Sequence, residues 1–430
     1  MILQKDYPSG ERTYKLIEKL QFERVSGTAG EARAAELICH EIKSMGRACH
    51  KEDFELPAST VICSELKSIG ETNLRFECTG YEFSASTQPG GIEAELLYVG
   101  AFNPDALKLA AGKIVMFDGK LTTRGYKAII DSGAIGFISY SGRFMDDIEN
   151  TDLYQCRLKD VQLVMPRIPG VNIRAKDAIE LKRGPNKKVR LKLELKDGRC
   201  HSRNVVAEIP GTDYPNEVII LMAHYDTVPF SVGAYDNASG SAMLLELFRS
   251  FCANPPKRTL RFLWCGSEEI GLAGSKAYVT AHANEFHSIC LAINFDLFGC
   301  VLGEDTAIVM ADEALSSYLK DIADEKECHL RVCRAALPSD ATRFVDKGIP
   351  AVGFGRYGNE QTATMHNRYD TTAFLSAEAI EETMEFVYDF CMRMANSANI
   401  PVSRPIPDDV KTMVDTYLCN DILGEYTKQF

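Results

Sequence analysis

The chain has 430 residues, 45% of them hydrophobic and 25% charged, with a formal net charge of −12. Such a length suggests two or three domains with a large core. The acidic balance disfavours a nucleic-acid binder, which carries a basic face, and no run reaches the roughly 18 apolar residues of a membrane span.

Reading from the start, MILQKDYPSGERTYKLIEKL is broken by Asp6, Pro8 and Glu11 where a secretory signal needs an apolar core. A cytoplasmic location is therefore expected. The 14 cysteines are scattered without a C-x-x-C pair. They read as buried small hydrophobes and not as a zinc ribbon. Residues 11–47 have helical apolar spacing in two pieces, broken by Ser-Gly-Thr-Ala-Gly at 26–30. Residues 52–85 alternate weakly, as strands or connections do.

Between 86 and 195 the texture changes. LLYVG, KIVMFD and IGFISY read as short strands, TTRGYKAIIDSGA as a helix, and MPRIPGVNI followed by AKDAIELKRG as a strand leading to a helix. The basic run Lys182, Arg183, Lys187, Lys188 and Arg190 reads as a solvated edge. From 204 onward NVVAEI, EVIILMAH, TLRFLWCG, ICLAINFD and PAVGFG are strand candidates. Several are continuous apolar runs, as in a sheet covered on both faces. Helical patterns at 239–251, 274–286, 312–325 and 375–395 alternate with them. The expected fold class is α/β, a mostly parallel mixed sheet sandwiched by helices, plus a smaller β-rich inserted domain. The expected boundaries are 1–60 and 200–430 for the main domain and 61–199 for the insert. Apolar residues at 410, 413, 414 and 418 suggest either a docked helix or a homo-oligomer contact.

The chemistry sits at strand tips. EVIILMAH ends in His224-Tyr225-Asp226, TLRFLWCG runs into Ser267-Glu268-Glu269, and ICLAINF ends in Asp296. The C-terminal edge of an open α/β sheet is where ligands bind. His224 and Asp226 are two apart and share a face on a strand. Asp226 is thus placed to occupy the second ring nitrogen of a metal-bound histidine. Asp236, in GAYDNASG, would alone read as a helix cap; beside His224 and the glutamate pair it reads as a metal bridge. Adjacent Glu268 and Glu269 point apart in regular structure, so one can bind metal while the other handles protons. His366, in MHNRYDT, is the fifth ligand candidate. Asp236, Asp296 and Glu269 carry about −3 against +4 for two divalent ions, leaving room for one hydroxide.

HYDTV, GAYDNASG, EEIGLAGS, NFDLFG and MHNRYDT, in that order, resemble the co-catalytic di-zinc exopeptidases that include bacterial aminopeptidases and glutamate carboxypeptidase. The likeness is loose over 11–50 and good over 204–395. It implies two zinc ions, with cobalt or manganese as alternatives, held by His224 and Asp296 on one side and Glu269 and His366 on the other, with Asp236 bridging. It also implies Glu268 as general base and acid, Asp226 behind His224, and a cis peptide after Asp236. The expected activity is hydrolysis of the N-terminal peptide bond of a peptide substrate by a metal-bridged hydroxide. Residues 86–185 resemble a protease-associated domain, through GKIVMFDGKL, KAIIDSGAIGFISYS and MPRIPGVNI.

Two positions depart from the pattern. The family often has a tyrosine before the last histidine to hold the oxyanion, where this chain has Met365; Tyr357 and Tyr369 are the candidate replacements. SDATRF has Ala341 where a histidine is usual, leaving Asp340 structural or near the specificity pocket. HYDTVP also resembles aminoacylases and desuccinylases, but their bridging aspartate lies some thirty residues on, whereas Asp236 follows His224 by 12 residues. Glutaminyl cyclases share the fold with a single zinc. The alternatives to an aminopeptidase are a carboxypeptidase, dipeptidase or amino-acid deacylase, for which Arg343, Arg356 and Arg368 could bind a carboxylate, and a non-catalytic binding scaffold.

Overall fold

Thr13, Leu16, Ile17 and Leu20 are spaced to share one helical face, and they are the apolar side of a helix over Gly10–Leu20. Ser9 caps it by accepting from the backbone N–H of Arg12. A second helix, Ala29–Ser44, is capped by Thr28 and buries Ala34, Ala35, Ile38 and Ile42. The Ser-Gly-Thr stretch separates the two, as its composition predicts. This computed structural model describes residues 7–146, 153, 155–336 and 338–427.

The chain forms two compact units. The first comprises the residues up to Leu56 together with His201–Leu418, and the second comprises Pro57–Cys200 with the described residues from Cys419 on. The sequence reading carries the main domain through to 430. The described end of the chain instead groups with the second unit.

In the first unit the sheet order is Arg331–Arg334, Gly303–Met310, Ala351–Gly358, Ile289–Phe295, Tyr214–His224, Arg258–Cys265 and the last part of Lys188–Ile209. Four of these pairings are parallel and two antiparallel. The parallel strands read as apolar runs because both faces are covered: Val218–Ala223 is buried throughout. The helix Ser239–Ala253 is buried nearly all round, and Trp264 donates its indole N–H to the Ser241 carbonyl at 3.1 Å. From the central strand Tyr214–His224 the chain goes to Arg258–Cys265 on one side and then to Ile289–Phe295 on the other. That reversal is a topological switch point, and it leaves a crevice at the C-terminal strand tips.

Two strands at one end of the sheet escape the sequence reading, Gly303–Met310 and Arg331–Arg334. The first opens on Gly-Glu-Asp-Thr and the second is four half-exposed residues, so neither shows a long apolar run. The tail helix Asp408–Leu418 buries Val410 and Val414 in one cluster with Val345 and Ile349, which is the docked-helix alternative.

The second unit has strands Ile92–Tyr98, Ile114–Met116, Gly136–Ser141 and Gly170–Arg174, parallel to one another in chain order. Helices Thr123–Asp131 and Ala175–Arg183 follow two of them. Phe117, Tyr126, Ile129 and Phe137 form its core. Lys182, Arg183, Lys187, Lys188 and Arg190 are all exposed, a solvated edge.

Candidate metal centre

His224 ends the central strand and Asp296 directly follows the next, so the switch-point geometry brings them together. His224 Nε2 lies 3.1 Å from Asp236 and 3.6 Å from Asp296. On the other side His366 Nε2 lies 3.0 Å from Asp236 and 3.2 Å from Glu269. The five residues thus form two triads, His224–Asp236–Asp296 and Asp236–Glu269–His366, with donor atoms in each within 4.8 Å of one another. Asp236 belongs to both.

Asp236 is placed by a turn that begins at Gly233, whose φ of 52° is left-handed and suits glycine. The Asp236–Asn237 peptide is cis, as the resemblance implies. Asn237 ties this turn to the Asp296 strand: its amide donates to the Phe295 carbonyl at 2.9 Å and its oxygen accepts from Gly240 N at 2.9 Å. A Cβ at Gly240 would come within 2.4 Å of both the Phe295 carbonyl and the Asn237 oxygen, so the helix start can lie this close only as glycine. Ser267, Leu297 and His366 also have positive φ. Such backbone costs about 1–3 kcal/mol per residue and gathers at functional sites.

Asp226 is fully buried and sits 3.4 Å from His224 Nδ1. Its two oxygens accept the backbone N–H groups of Glu268 at 2.9 Å and Glu269 at 3.2 Å, and Ser26 donates to it at 3.0 Å. One side chain therefore aligns the histidine and the glutamate pair. The carboxylate of Glu268 makes no hydrogen bond with any described residue.

Three residues that sequence reasoning missed support this cluster. Arg24 is fully buried and donates to the carbonyls of Tyr225 at 2.6 Å, Val232 at 2.7 Å and Gly233 at 2.9 Å. It thereby grips the loops carrying His224 and Asp236. Asp370 accepts the backbone N–H groups of Tyr235 at 2.7 Å and Asp236 at 3.1 Å. It lies inside MHNRYDT, four residues after His366, so the motif contained the signal. Glu31 accepts from Ser202 at 2.6 Å and from Ser267, the residue before Glu268, at 2.9 Å.

The electrostatics call for positive charge. Burial, then the neighbouring Asp236, pushes Glu269 up to about 7, and burial raises Glu268 and Asp296 as well. Burial opposes the charged form of both histidines. Carboxylate contacts outweigh it, raising His366 to about 11 and His224 well above its ordinary value. Burial also opposes the charged form of Asp236, but its hydrogen bonds to His224 and His366 hold it below the usual carboxylate range. Glu269 Oε1 and Asp296 Oδ1 are buried with no hydrogen-bond partner, which is costly unless a cation takes them. Imidazole and carboxylate in a triad suit zinc or a similar divalent ion, so the residues present fit a metal.

Tyr357 and Asp296 share the face of a parallel strand pair, since Phe295 is in register with Phe354. The Tyr357 ring folds over Gly355. Tyr369 is 56% exposed and Met365 is exposed beside His366. Arg356 is committed to Asp305 at 3.0 Å, Glu382 at 3.0 Å and the Cys300 carbonyl, which removes it as a carboxylate reader. Asp340 is fully buried and accepts from Ser275 at 2.5 Å.

The C-terminal edge of this mostly parallel sheet and the loops beside it thus gather two histidines and three carboxylates into an arrangement suited to holding metal. Residues 204–391 match the family described as Peptidase family M28. The chain is 27% identical over 356 residues to carboxypeptidase Q of Bos taurus, spanning 76% of this chain and 72% of that one. It is 29% identical over 277 residues to aminopeptidase YwaD of Bacillus subtilis (strain 168), spanning 64% of this chain and 57% of the relative. The fold is similar to that of BSAP, a zinc aminopeptidase from Bacillus subtilis, with a TM-score of 0.76 at 23% identity over 94% of this chain and 100% of that one. Among the described residues, no helix is long and apolar enough to cross a membrane.

Proposed function

We propose that this chain is a metal-dependent exopeptidase, in first reading an aminopeptidase, with two zinc ions held by His224, Asp236, Asp296, Glu269 and His366. The observation that carries this is the pair of triads sharing Asp236. When bound, the ions would polarise the scissile carbonyl and favour ionisation of the attacking water. Glu268 takes a proton from that water and delivers it to the amide nitrogen as the C–N bond breaks, so it ends the cycle unchanged. Asp226 holds Glu268 and Glu269 by their backbone N–H groups and keeps His224 oriented. Tyr357 is our choice over Tyr369 for the missing oxyanion donor, because it shares a strand face with Asp296.

A carboxypeptidase or dipeptidase is the second reading, supported by the likeness to carboxypeptidase Q. We retain the protease-associated reading of residues 61–199 and a cytoplasmic location as inferences from sequence. Free peptides, amine-blocked peptides and peptide amides, assayed with and without a chelator, separate the two activities. Turnover that needs a free amine supports the first reading. Turnover of amine-blocked peptides sinks it in favour of the second.

A further inference from the structure

We propose that Arg343 is the residue that recognises a free carboxylate on the substrate's leaving residue, so that short peptides releasing a free amino acid are favoured; this rests on the peptidase reading above. Arg343 lies on the short helix Ala341–Val345. Its Nη2 donates to the Gly271 carbonyl at 3.0 Å. Gly271 in turn donates its N–H to the carbonyl of Glu268 at 2.9 Å, so the guanidinium sits on the same turn as the proposed general base.

That placement selects one side of the substrate. The group that returns a proton to the amide nitrogen must stand beside the leaving amine. A cation on its turn therefore stands on the C-terminal side of the broken bond. When the leaving residue is also the last one, its carboxylate comes within a side chain's reach of that amine.

Arg343 is unengaged in a way that fits this role. It forms no ion pair among the described residues, and its Nε is buried without a hydrogen-bond partner. Asp340, one helical turn earlier, does not pair with it and holds Ser275. Arg356, by contrast, is spent on Asp305 and Glu382. A guanidinium fork with spare donors matches a carboxylate bidentately, and elsewhere the cluster presents mainly acceptors to a substrate.

The test compares Leu-Gly with Leu-Gly amide on the zinc-loaded wild type, Arg343→Ala and Arg343→Lys. The wild type should favour the acid. Arg343→Ala should lose about 10- to 100-fold in kcat/KM on the acid, the span of one to two charge-assisted hydrogen bonds, with the amide unchanged. Arg343→Lys, which keeps the charge and the fold, should lose less and again only on the acid. Equal wild-type rates on acid and amide, or equal losses on both in either variant, would overturn the proposal while leaving the peptidase reading intact. Failure of the wild type to cleave either substrate would overturn both.

Discussion

Replacing Arg24 by Met tests whether the metal loops depend on a buried cation. The guanidinium donates to five carbonyls, those of Leu20, Phe22, Tyr225, Val232 and Gly233. Burial lowers its pKa to about 10, so it stays charged at neutral pH among Asp370, Asp226, Asp236 and Glu269. Met fills similar volume but leaves the carbonyls and carboxylates without their donor. Breaking a buried ionic network costs about 3–5 kcal/mol, a large share of the roughly 5–15 kcal/mol that holds a domain folded. At about 2–4 °C per kcal/mol, the Tm should fall by roughly 6–20 °C. Zinc at 100 times its Kd should add about 2.7 kcal/mol to the wild type. The variant at that concentration should gain less, because two ligand loops have lost their clamp. Thermal unfolding with and without zinc reads both effects. A variant within about 1 kcal/mol of wild type, or with the same zinc gain, would refute the reasoning.

Glu268→Gln should keep its zinc and lose about 100- to 10,000-fold in kcat, the usual worth of a positioned acid–base group; full activity would remove Glu268 from that role. Burial, then the charge of Asp226, raises Glu31 to about 7 from 4.5. The native state therefore binds more protons than the unfolded state between those values, and stability falls as pH rises from about 4.5 to 7. The full contribution is at most about 3 kcal/mol. Glu31→Gln should flatten that part of the stability–pH curve, and an unchanged slope in urea unfolding would contradict the assignment.

Much of this was legible in the sequence for a physical reason. A strand buried on both faces must be apolar, so a histidine or carboxylate at each tip of Val218–His224, Leu260–Cys265 and Ile289–Phe295 stands out against its own strand. The supporting residues have no such contrast. Arg24 lies between two helices where a charge is ordinary, and its partners Tyr225, Val232 and Gly233 are some two hundred residues away. Glu31 looks like a first-turn helix acid until Ser202 and Ser267 are folded onto it. Gly303–Met310 and Arg331–Arg334 were obscured because polar residues open the first and the second is only four residues long, which leaves no long apolar run on which strand recognition depends.

The central claim is that Asp236 is shared by two metal ions. Calorimetric titration of zinc into the chelator-stripped protein tests it most directly. The account predicts two equivalents bound by the wild type and the loss of both high-affinity sites in Asp236→Ala, with the variant's fold checked by circular dichroism. Binding of a single equivalent by the wild type, or two retained sites in a folded Asp236→Ala variant, would contradict it.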